Sequence, residues 1–555
     1  METSNKFLSP PVGTCTKCDK ILSMHNNPST ATLFTLDGPI LCSKVTLECR
    51  NCAIHFGPSN FSDECGTHLY PADIDDNTFV EVSNVTYFDL ALYRWIPSLS
   101  HHCWVSFSGF SEAYNEIYQE PISRYASRVK GVLPGELSAK VVAKCFWHHE
   151  VEQELTERGL RKEWVFGQQQ HDKEHSGTHD NVMEYVDKKR CEELYLHNCS
   201  NHCSQKGCGK LYVADGNWKL RYAHCMWKVP VCVAGFGKVN YPSICPLSPK
   251  RGHAFCEAHC EKALNMGYES GLKEFYQRCG VTGVDINQAL DEMSSQPFLS
   301  DSSFKAVSCN IDQFADTDLD ESSPNASTFQ GTSNFLLNNP SFVEDCGVED
   351  EVKCNKDTGG LKSLHFWSRG IFFTVSAGGH KEYWQPLYKS ESPTQAWLIT
   401  VLWLYRKFKL LEDAGFSEEK ILDEMKSTVL AYNNMCHVDN LRISRNDLPL
   451  PRPYDKLWKC INKVIDRLHL RNHVDQKCHR VYNPDDKIPK NFNTMACEQT
   501  FVWASRFKKV MCAMPHIHQF FFLHRIVKYR NKYTEKCHVN SKVPMLPKVT
   551  NMKGP

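Results

Sequence analysis

The chain has 555 residues, enough for roughly three to five domains. It carries 64 Lys and Arg against 64 Asp and Glu, and this balance excludes a uniformly basic nucleic-acid coat and an acidic tail protein. Hydrophobic residues make up 41% of the chain, which argues against overall disorder.

Cysteine and histidine are unusually frequent. The odd total of 27 Cys cannot pair completely into disulfides within one chain, and 25 His accompany them. The longest apolar run, at 520–523, is far shorter than the roughly 18 residues of a membrane span. The first residues lack the apolar stretch of a signal peptide. We therefore expect a reducing compartment, where clustered Cys and His are more often metal ligands than disulfides, and an intracellular zinc protein of several modules.

Residues 1–66 form the first predicted module. Cys15-x2-Cys18 and Cys49-x2-Cys52 can each place two thiolates on one tight turn, and two such turns complete a tetrahedral zinc site. The 30 residues between the pairs include strand-like runs, so we expect a zinc ribbon-like cysteine cluster. Four sulfur ligands make such a zinc structural rather than catalytic. A redox-active thiol pair is the alternative.

Residues 67–195 are predicted to be a mixed α/β and helical region. Apolar and polar residues partly alternate over 78–82, as in a strand. The stretch 150–189 is mostly charged, which predicts solvated helix with loops.

Residues 196–281 hold the densest group of Cys and His. Cys203-x4-Cys208 and Cys256-x2-His259 together supply three thiolates and one imidazole, a closed tetrahedral set for structural zinc. Other residues lie close enough in sequence to substitute as ligands: Cys199, His202, Cys225, Cys245 and Cys260.

The same region contains a candidate carboxylate ligand, Asp215. An apolar run over 211–214 ends at this residue, and Gly216 follows it. Two-metal phosphoryl-transfer sites need a carboxylate at such a strand end. The alternative is a simple turn, because Asp before Gly is common in turns.

Residues 282–355 differ in composition from both neighbouring regions. Positions 285–351 contain 14 acidic residues against one Lys, together with many Ser and Asn. Such a segment cannot bury enough apolar surface to offset its chain entropy, so we predict a disordered acidic insertion. It is either a solvated linker or a mimic of nucleic-acid charge that shields a basic groove.

Residues 356–540 are predicted to fold again. The pattern predicts a buried strand over 370–375, a return strand over 380–387 and a helix capped by Ser392. The segment 429–436 is predicted to be a further strand that runs into a polar end.

Two more carboxylates in this region complete a candidate site. Asp466 ends a short apolar run, and Glu498 falls in the first turns of a predicted helix. Ribonuclease-H-like nucleases need carboxylates on two strands and a helix that converge on Mg²⁺, and Asp215 with these two residues could satisfy that pattern.

A third metal constellation is formed by His469, His473 and Cys478. Histidines four residues apart share a face if the segment is helical, and they could then bind zinc. A hydrogen-bonded structural pair of histidines is the alternative.

The end of the chain is basic. Between 501 and 555 there are 11 Lys and Arg and one acid, Glu535. Aromatic residues such as Trp503 and Tyr529 alternate with these cations, which suits phosphate contact combined with base stacking. The alternative is a helix whose charged face is only solvated. Residues 541–555 are assigned to a tail.

Five blocks of the sequence resemble KDZ (Kyakuja–Dileera–Zisupton) transposases: VADGNWKLRYAHC, SESPTQAW, LAYNNMCH, DRLHLRNHVDQKC and NTMACEQTFVW. The pairs CTKC and ECRNC, and CSQKGC with FCEAH, resemble the zinc-binding cysteine clusters associated with these transposases. The resemblance covers most of the chain except the acidic insertion and the last dozen residues. It implies a ribonuclease-H-like core with an Asp-Asp-Glu site that cuts and joins transposon ends with Mg²⁺ or Mn²⁺. By this resemblance, Asp215 matches the first Asp and Glu498 the helix Glu.

The second Asp is where the chain departs from the family. KDZ transposases tend to have Tyr-Asp where this chain has Tyr432-Asn433. Asn is a neutral and weaker oxygen ligand for Mg²⁺. Either Asp466 takes the role, or the site is degraded and the chain is a domesticated or decayed element copy.

The expected architecture is a multi-domain α+β protein, in which a zinc ribbon-like module precedes a ribonuclease-H-like α/β core interrupted by the Cys/His zinc module and the acidic insertion. We expect structural zinc, catalytic Mg²⁺ or Mn²⁺, DNA as partner, a nuclear location, no membrane and no organic cofactor, and homo-oligomers are allowed. The chain is then either a DNA transposase or a non-catalytic zinc protein that binds DNA, chromatin or other proteins. A ubiquitin-ligase-like adaptor is disfavoured, because no cross-braced set of eight ligands can be written.

Overall fold

The computed structural model divides the chain into two compact units. Unit 1 is Met1–Val186 with Phe521–Tyr529, and unit 2 is Asp187–Phe520 with Arg530–Pro555. The structure describes residues 6–74, 78–129, 135–167, 175–190, 193–217, 219–228, 245, 247–279, 288–290, 293, 354, 368, 370–388 and 391–546. Most of the predicted acidic insertion at 282–355 therefore lies outside the described residues.

Two β-sheets form much of unit 1. Its strands are β1 (Lys6–Leu8), β2 (Ser23–Met24), β3 (Ser29–Thr35), β4 (Gly38–Lys44), β5 (Leu47–Cys49), β6 (Ile54–Phe56), β7 (Asn60–Asp63), β8 (Gly66–Leu69), β9 (Phe79–Ser83), β10 (Thr86–Asp89), β11 (Val165–Phe166) and β12 (Ser176–Gly177). One sheet has the order β1-β4-β3-β10-β9, and the other has the order β12-β11-β8-β7-β6-β5-β2. Strand β9 confirms the strand predicted over 78–82.

Helices pack around these sheets. They are Leu90–Tyr93, Trp95–Cys103, Phe107–Ile117, Gln119–Arg128, Ala139–Glu157 and His179–Arg190, the last of which ends in unit 2. Serine side chains cap two of them: Ser106 accepts from the backbone N–H of Gly109 at 3.0 Å, and Ser138 from that of Val141 at 3.3 Å. Each cap satisfies a backbone donor that the first helical turn leaves open.

The helix Ala139–Glu157 carries two fully buried carboxylates, Glu150 and Glu154, each 0% exposed. Arg525 pairs with both, and Lys528 pairs with Glu154. Burial opposes ionisation of Glu150, but Arg525, together with His149 and the hydroxyls of Tyr93 and Tyr529, holds the pKa of Glu150 below its ordinary value. The prediction of a solvated helix is therefore wrong at these two positions, because both side chains are buried. The pairing could not be seen in the local sequence, since Arg525 lies 375 residues after Glu150.

Unit 2 is built on a mixed sheet. Its strands are β13 (Leu211–Asn217), β14 (Gly370–Ser376), β15 (Lys381–Leu387), β16 (Val429–Tyr432) and β17 (Asn462–Val464), in the order β15-β14-β13-β16-β17. Strand β14 is antiparallel to β13 and β15, whereas β16 is parallel to β13 and β17. Strands β14, β15 and β16 confirm the three strands predicted in this region.

Helices and short turns surround this sheet. The α-helices are Asn201–Gln205, Glu257–Asn265, Leu272–Cys279, Pro393–Asp413, Glu418–Ser427, Met435–Val438, Arg442–Arg445, Leu457–Cys460, Gln476–Val481, Ala496–Ala504, Lys508–Met511 and His516–Val539. The 3₁₀ turns are Tyr454–Lys456, His469–Asn472, Pro484–Asp486 and Ser505–Phe507. Ser392 caps its helix as predicted, accepting from the backbone N–H of Gln395 at 3.2 Å.

Both units combine sheets with helices, so the chain is a multi-domain α+β protein, as predicted. In the part of the chain that the structure describes, no helix combines the length and the apolar character that a bilayer span requires.

Candidate metal centres and carboxylate site

The cysteines of the two N-terminal pairs lie together in unit 1: Cys15, Cys18, Cys49 and Cys52. The first pair precedes β2, and the second begins at the end of β5 and continues into the turn before β6. A residue with positive φ follows each pair, Asp19 at 56° and Ala53 at 52°. The two pairs therefore make matching tight turns, the kind of local geometry that points two thiolates at one metal ion.

The separation of sulfur atoms fits zinc. Cys18 Sγ and Cys49 Sγ are 3.6 Å apart. Two sulfurs bound at about 2.3 Å to one tetrahedral zinc lie roughly 3.8 Å apart, whereas a disulfide holds them at about 2.05 Å. All cysteines that the structure describes are free of disulfides.

The structure divides the quartet Cys203, Cys208, Cys256 and His259 between two groups. Cys203 and Cys208 lie with His197 and Cys199. The distance from His197 Nε2 to Cys208 Sγ is 3.0 Å, and Cys199 Sγ is 3.5 Å from Cys208 Sγ. A Cβ at Gly378, in the β14–β15 turn, would lie 2.4 Å from Cys203 Sγ, so the missing side chain allows this turn to approach the thiols.

Cys256 and His259 lie instead with Cys225 and Cys245, and all four are buried. His259 Nδ1 is 3.2 Å from Cys256 Sγ and 3.4 Å from Cys225 Sγ, near the roughly 3.6 Å expected of a nitrogen and a sulfur that share one tetrahedral zinc. The His259 ring stacks on Trp227 with its centroid 4.8 Å away. Three of the substitute ligands considered from sequence, Cys199, Cys225 and Cys245, thus take part in these two groups.

A further group draws its members from separate parts of unit 2: Cys354, Cys436, His473 and Cys478. Cys354 Sγ is 3.7 Å from Cys478 Sγ, and Cys436 Sγ is 3.6 Å from His473 Nδ1. His473 Nε2 lies 3.0 Å from the carbonyl oxygen of Asn433, which fixes the ring with Nδ1 towards the thiols. Sequence reasoning placed His473 and Cys478 with His469 and missed Cys354, which is 124 residues before Cys478.

The candidate carboxylates lie where parallel strands end. Strands β13, β16 and β17 run in the same direction, so their carboxyl ends meet at one edge of the sheet. Ala214 pairs with Tyr432. Asp215 is the next residue of β13, and Asn433 is the first residue after β16. Asp466 follows β17 by two residues.

Glu391 lies beside Asp215 and was not among the sequence candidates. Its carboxylate lies against Gly216, where a Cβ would be 2.1 Å from Glu391 Oε2. The Tyr432 hydroxyl donates to Glu391 Oε1 at 2.9 Å. The available signal was its position between β15 and the Ser392 cap, within the block SESPTQAW.

Glu498 completes the group from a helix. It lies in the first turn of Ala496–Ala504, which packs on β13, and the Cys497 thiol lies 3.0 Å from the carbonyl oxygen of Val213. Burial, and then the carboxylates of Glu391, Glu498 and Asp466, raise the pKa of Asp215 well above its ordinary value. The sequence-predicted acids therefore lie close enough to act on one another electrostatically.

His469 connects two of these acids. Its Nδ1 is 2.7 Å from Asp466 Oδ2, and its Nε2 is 3.7 Å from Glu498 Oε1. The other oxygen of Asp466 accepts from the backbone N–H groups of Leu468 and His469, each at 3.0 Å. Asp466 thus caps the following turn as well as holding the imidazole.

The basic end of the chain is divided between the interior and the surface. Arg525 and Lys528 pair with carboxylates inside unit 1, and Arg530 is 3% exposed inside unit 2. Exposed cations follow the helix that carries Glu498: Arg506, Lys508 and Lys509. The DNA contact predicted for this end can use only the exposed members.

The match to known families falls on the N-terminal region. Residues 3–118 match the family model described as CxC5 like cysteine cluster associated with KDZ transposases. This region of the chain is similar to a cysteine cluster associated with KDZ transposases. This CxC5-like region contains the four N-terminal cysteines and extends past residue 66 to the end of the helix Phe107–Ile117. No curated protein and no solved structure matched the chain.

Proposed function

We propose that this protein is a transposase-derived, zinc-braced DNA-processing protein. Unit 2 contains a ribonuclease-H-like core, and its carboxylates hold Mg²⁺ or Mn²⁺ for cutting and joining DNA strands. The observation that supports this best is the proximity of Asp215, Asp466 and Glu498, with Glu391 added, at the carboxyl edge of β13, β16 and β17.

The origin of the acids supports the fold proposal. Asp215 comes from the central strand, Asp466 follows an outer parallel strand, and Glu498 comes from a helix packed on the sheet. This is the combination of two strands and one helix that the resemblance to KDZ transposases implies.

The electrostatics support a cation site. Burial first, and then repulsion by the neighbouring carboxylates, raise the pKa of Asp215. Hard divalent cations prefer carboxylate oxygens, and Asp215, Glu391 and Glu498 offer them from three different elements. When bound, such cations would polarise a phosphate oxygen and activate water or a 3′-hydroxyl.

The test uses the full-length protein with supercoiled plasmid DNA and Mn²⁺. Wild type should nick the plasmid, and Asp215→Asn should lose on the order of 10³-fold in rate, since a metal ligand contributes several kcal/mol to the transition state. Asp423→Asn, at an exposed helical position, is the matched control and should nick normally. Failure of wild type to nick, or equal nicking by Asp215→Asn, would count against the proposal.

The four Cys/His groups support structural zinc as the second cofactor. We expect four zinc ions per chain, because each group supplies four soft or borderline ligands and no open position. Elemental analysis should show one zinc fewer in Cys18→Ser and in Cys478→Ser. Cys103→Ser, at an exposed cysteine, should keep all four. An unchanged zinc content in both ligand variants would contradict these assignments.

A non-catalytic zinc protein is the second candidate. Asn433 provides an amide where KDZ transposases tend to have an acid, and His469 lies between Asp466 and Glu498, with its Nδ1 2.7 Å from Asp466 Oδ2. DNA binding that survives loss of Asp215, Asp466 and Glu498, together with no Mn²⁺-dependent cleavage, would favour this candidate. Binding that requires Asp215 would count against it.

A further inference from the structure

Unit 2 contains a small cavity with three cations in its lining: Lys206, Lys381 and Arg530. The β14–β15 turn, the helix Ala496–Ala504 and the last part of the helix His516–Val539 form its walls. Among the described residues that line it, none is Asp or Glu. The cavity is separate from the carboxylates beside Asp215, none of which lines it.

Two of the cations are buried and have donor capacity left over. Lys381 is 3% exposed, and its ammonium donates to the carbonyl of Gly379 at 2.9 Å. Arg530 is also 3% exposed and donates to the carbonyl of Met545 at 2.6 Å. Within the described part of the chain, Arg530 Nε has no hydrogen-bond partner. A lysine ammonium has three donors and an arginine guanidinium five, so both can serve a further acceptor.

The charge of this pair is poorly compensated. Burial, followed by the neighbouring Arg530, holds the pKa of Lys381 well below its ordinary value. The remaining ionisable groups that act on the pair are the Cys497 thiol for Lys381, and the Tyr533 hydroxyl and Cys537 thiol for Arg530. A buried cation normally has an anionic partner, as Arg525 has in unit 1.

We propose that this cavity binds a phosphate-sized oxyanion, with Lys381 and Arg530 as its buried ligands and Lys206 at its edge. A tetrahedral oxyanion has enough acceptors to use the remaining donors and supplies the missing negative charge. The phosphate group belongs either to a DNA backbone or to a free phosphate compound. The site does not depend on the proposed nuclease activity, since it involves none of the acids beside Asp215.

The test is thermal unfolding of the full-length protein with inorganic phosphate, at constant ionic strength and with chloride as reference. Phosphate should raise the Tm of wild type, and Lys381→Met should weaken phosphate binding by about 10-fold or more. This variant removes a buried charge with no carboxylate partner, so it should fold with an equal or higher Tm without phosphate. Lys536→Met, exposed on the same helix as Arg530, should respond to phosphate as wild type does.

The half-buried Lys206 supplies a second variant if Lys381→Met fails to fold, and Lys206→Met should also weaken the response to phosphate. No response of wild type to phosphate, or equal responses of wild type and the cavity variants, would overturn the proposal. A labelled duplex identifies the source of the phosphate group. Weaker duplex binding by Lys381→Met supports the site with a DNA backbone phosphate as its ligand, and unchanged duplex binding with a lost phosphate response supports it with a free phosphate compound.

Discussion

The two units bury carboxylates in opposite ways. In unit 1, burial would raise the pKa values of Glu150 and Glu154. Arg525 is the main group that lowers the pKa of Glu150, and His524, followed by Arg525 and Lys528, lowers that of Glu154. In unit 2, the charged groups that act most strongly on Asp215 are other carboxylates, and its pKa is raised. The first arrangement is internally neutralised and needs nothing further. The carboxylates of unit 2 need added positive charge to neutralise them. A cation site differs from a structural ion pair in this respect.

Removing one negative charge from unit 1 tests the difference between the two units. Glu154→Gln should destabilise this unit by up to about 3–5 kcal/mol, because it removes a fully buried acid partner of Arg525 and leaves Lys528 with Glu157 alone. Hydrogen exchange of the helix Ala139–Glu157 measures the change. Glu157→Gln is the control, since that side chain is 33% exposed and should cost less than about 1 kcal/mol. Equal effects of the two substitutions would show that burial of the pair does not matter.

Adding a divalent cation tests the same difference in unit 2. Mn²⁺ at 100 times its Kd should stabilise the β13 region of wild type by about 2.7 kcal/mol, measured by hydrogen exchange. Asp215→Asn should lose this response while remaining folded, because it relieves repulsion rather than creating it. A Mn²⁺ response retained in Asp215→Asn would remove Asp215 from the site.

Glu391 can be tested without changing any charge. Gly216→Ala places a methyl group where Glu391 Oε2 now lies, so the carboxylate must move. We expect Mn²⁺ affinity to fall by about 10- to 100-fold, the range seen when groups that orient ligands are lost. Gly13→Ala is a control, because its added Cβ meets no described atom within 4 Å. Unchanged affinity would exclude Glu391 from cation binding.

Acidic pH should affect the two units in opposite directions. The lowered pKa of Glu154 gives stability that is present above its ordinary value and is lost as pH falls through the lowered one. The raised pKa of Asp215 gives stability that is present below the ordinary value and is lost as pH rises through the raised one. Lowering the pH towards the ordinary glutamate pKa should therefore tighten the β13 region, and only acidification below that value should loosen unit 1, as hydrogen exchange at several pH values can measure. A pH response of β13 that persists in Asp215→Asn would contradict this assignment.

Contacts between residues that lie close together in the sequence could be predicted from it. Cys15 and Cys49 each have their partner three residues away, so spacing alone selected the four cysteines that lie together in the structure. The strands β14 and β16 were also visible, because buried strands are continuous apolar runs.

Interactions between distant segments could not be predicted in this way. Joining Cys203 to Cys256 from spacing combined halves of two groups, since both halves have plausible ligand intervals. Cys354 and Glu391 have no neighbouring ligand that would mark them. Each joins a group whose other members lie far away in the sequence, such as Cys478 at 124 residues from Cys354, and local pattern does not specify such contacts.

The helix His516–Val539 has a practical consequence for anyone who divides this chain for expression. Its segment Phe521–Tyr529 belongs to unit 1, although more than 300 residues separate it from the rest of that unit. A fragment that stops at residue 186 would leave Glu150 and Glu154 without Arg525, Lys528 and Tyr529. Supplying that nine-residue stretch in trans, or fusing it to the fragment, is therefore a condition for obtaining unit 1 as a stable product.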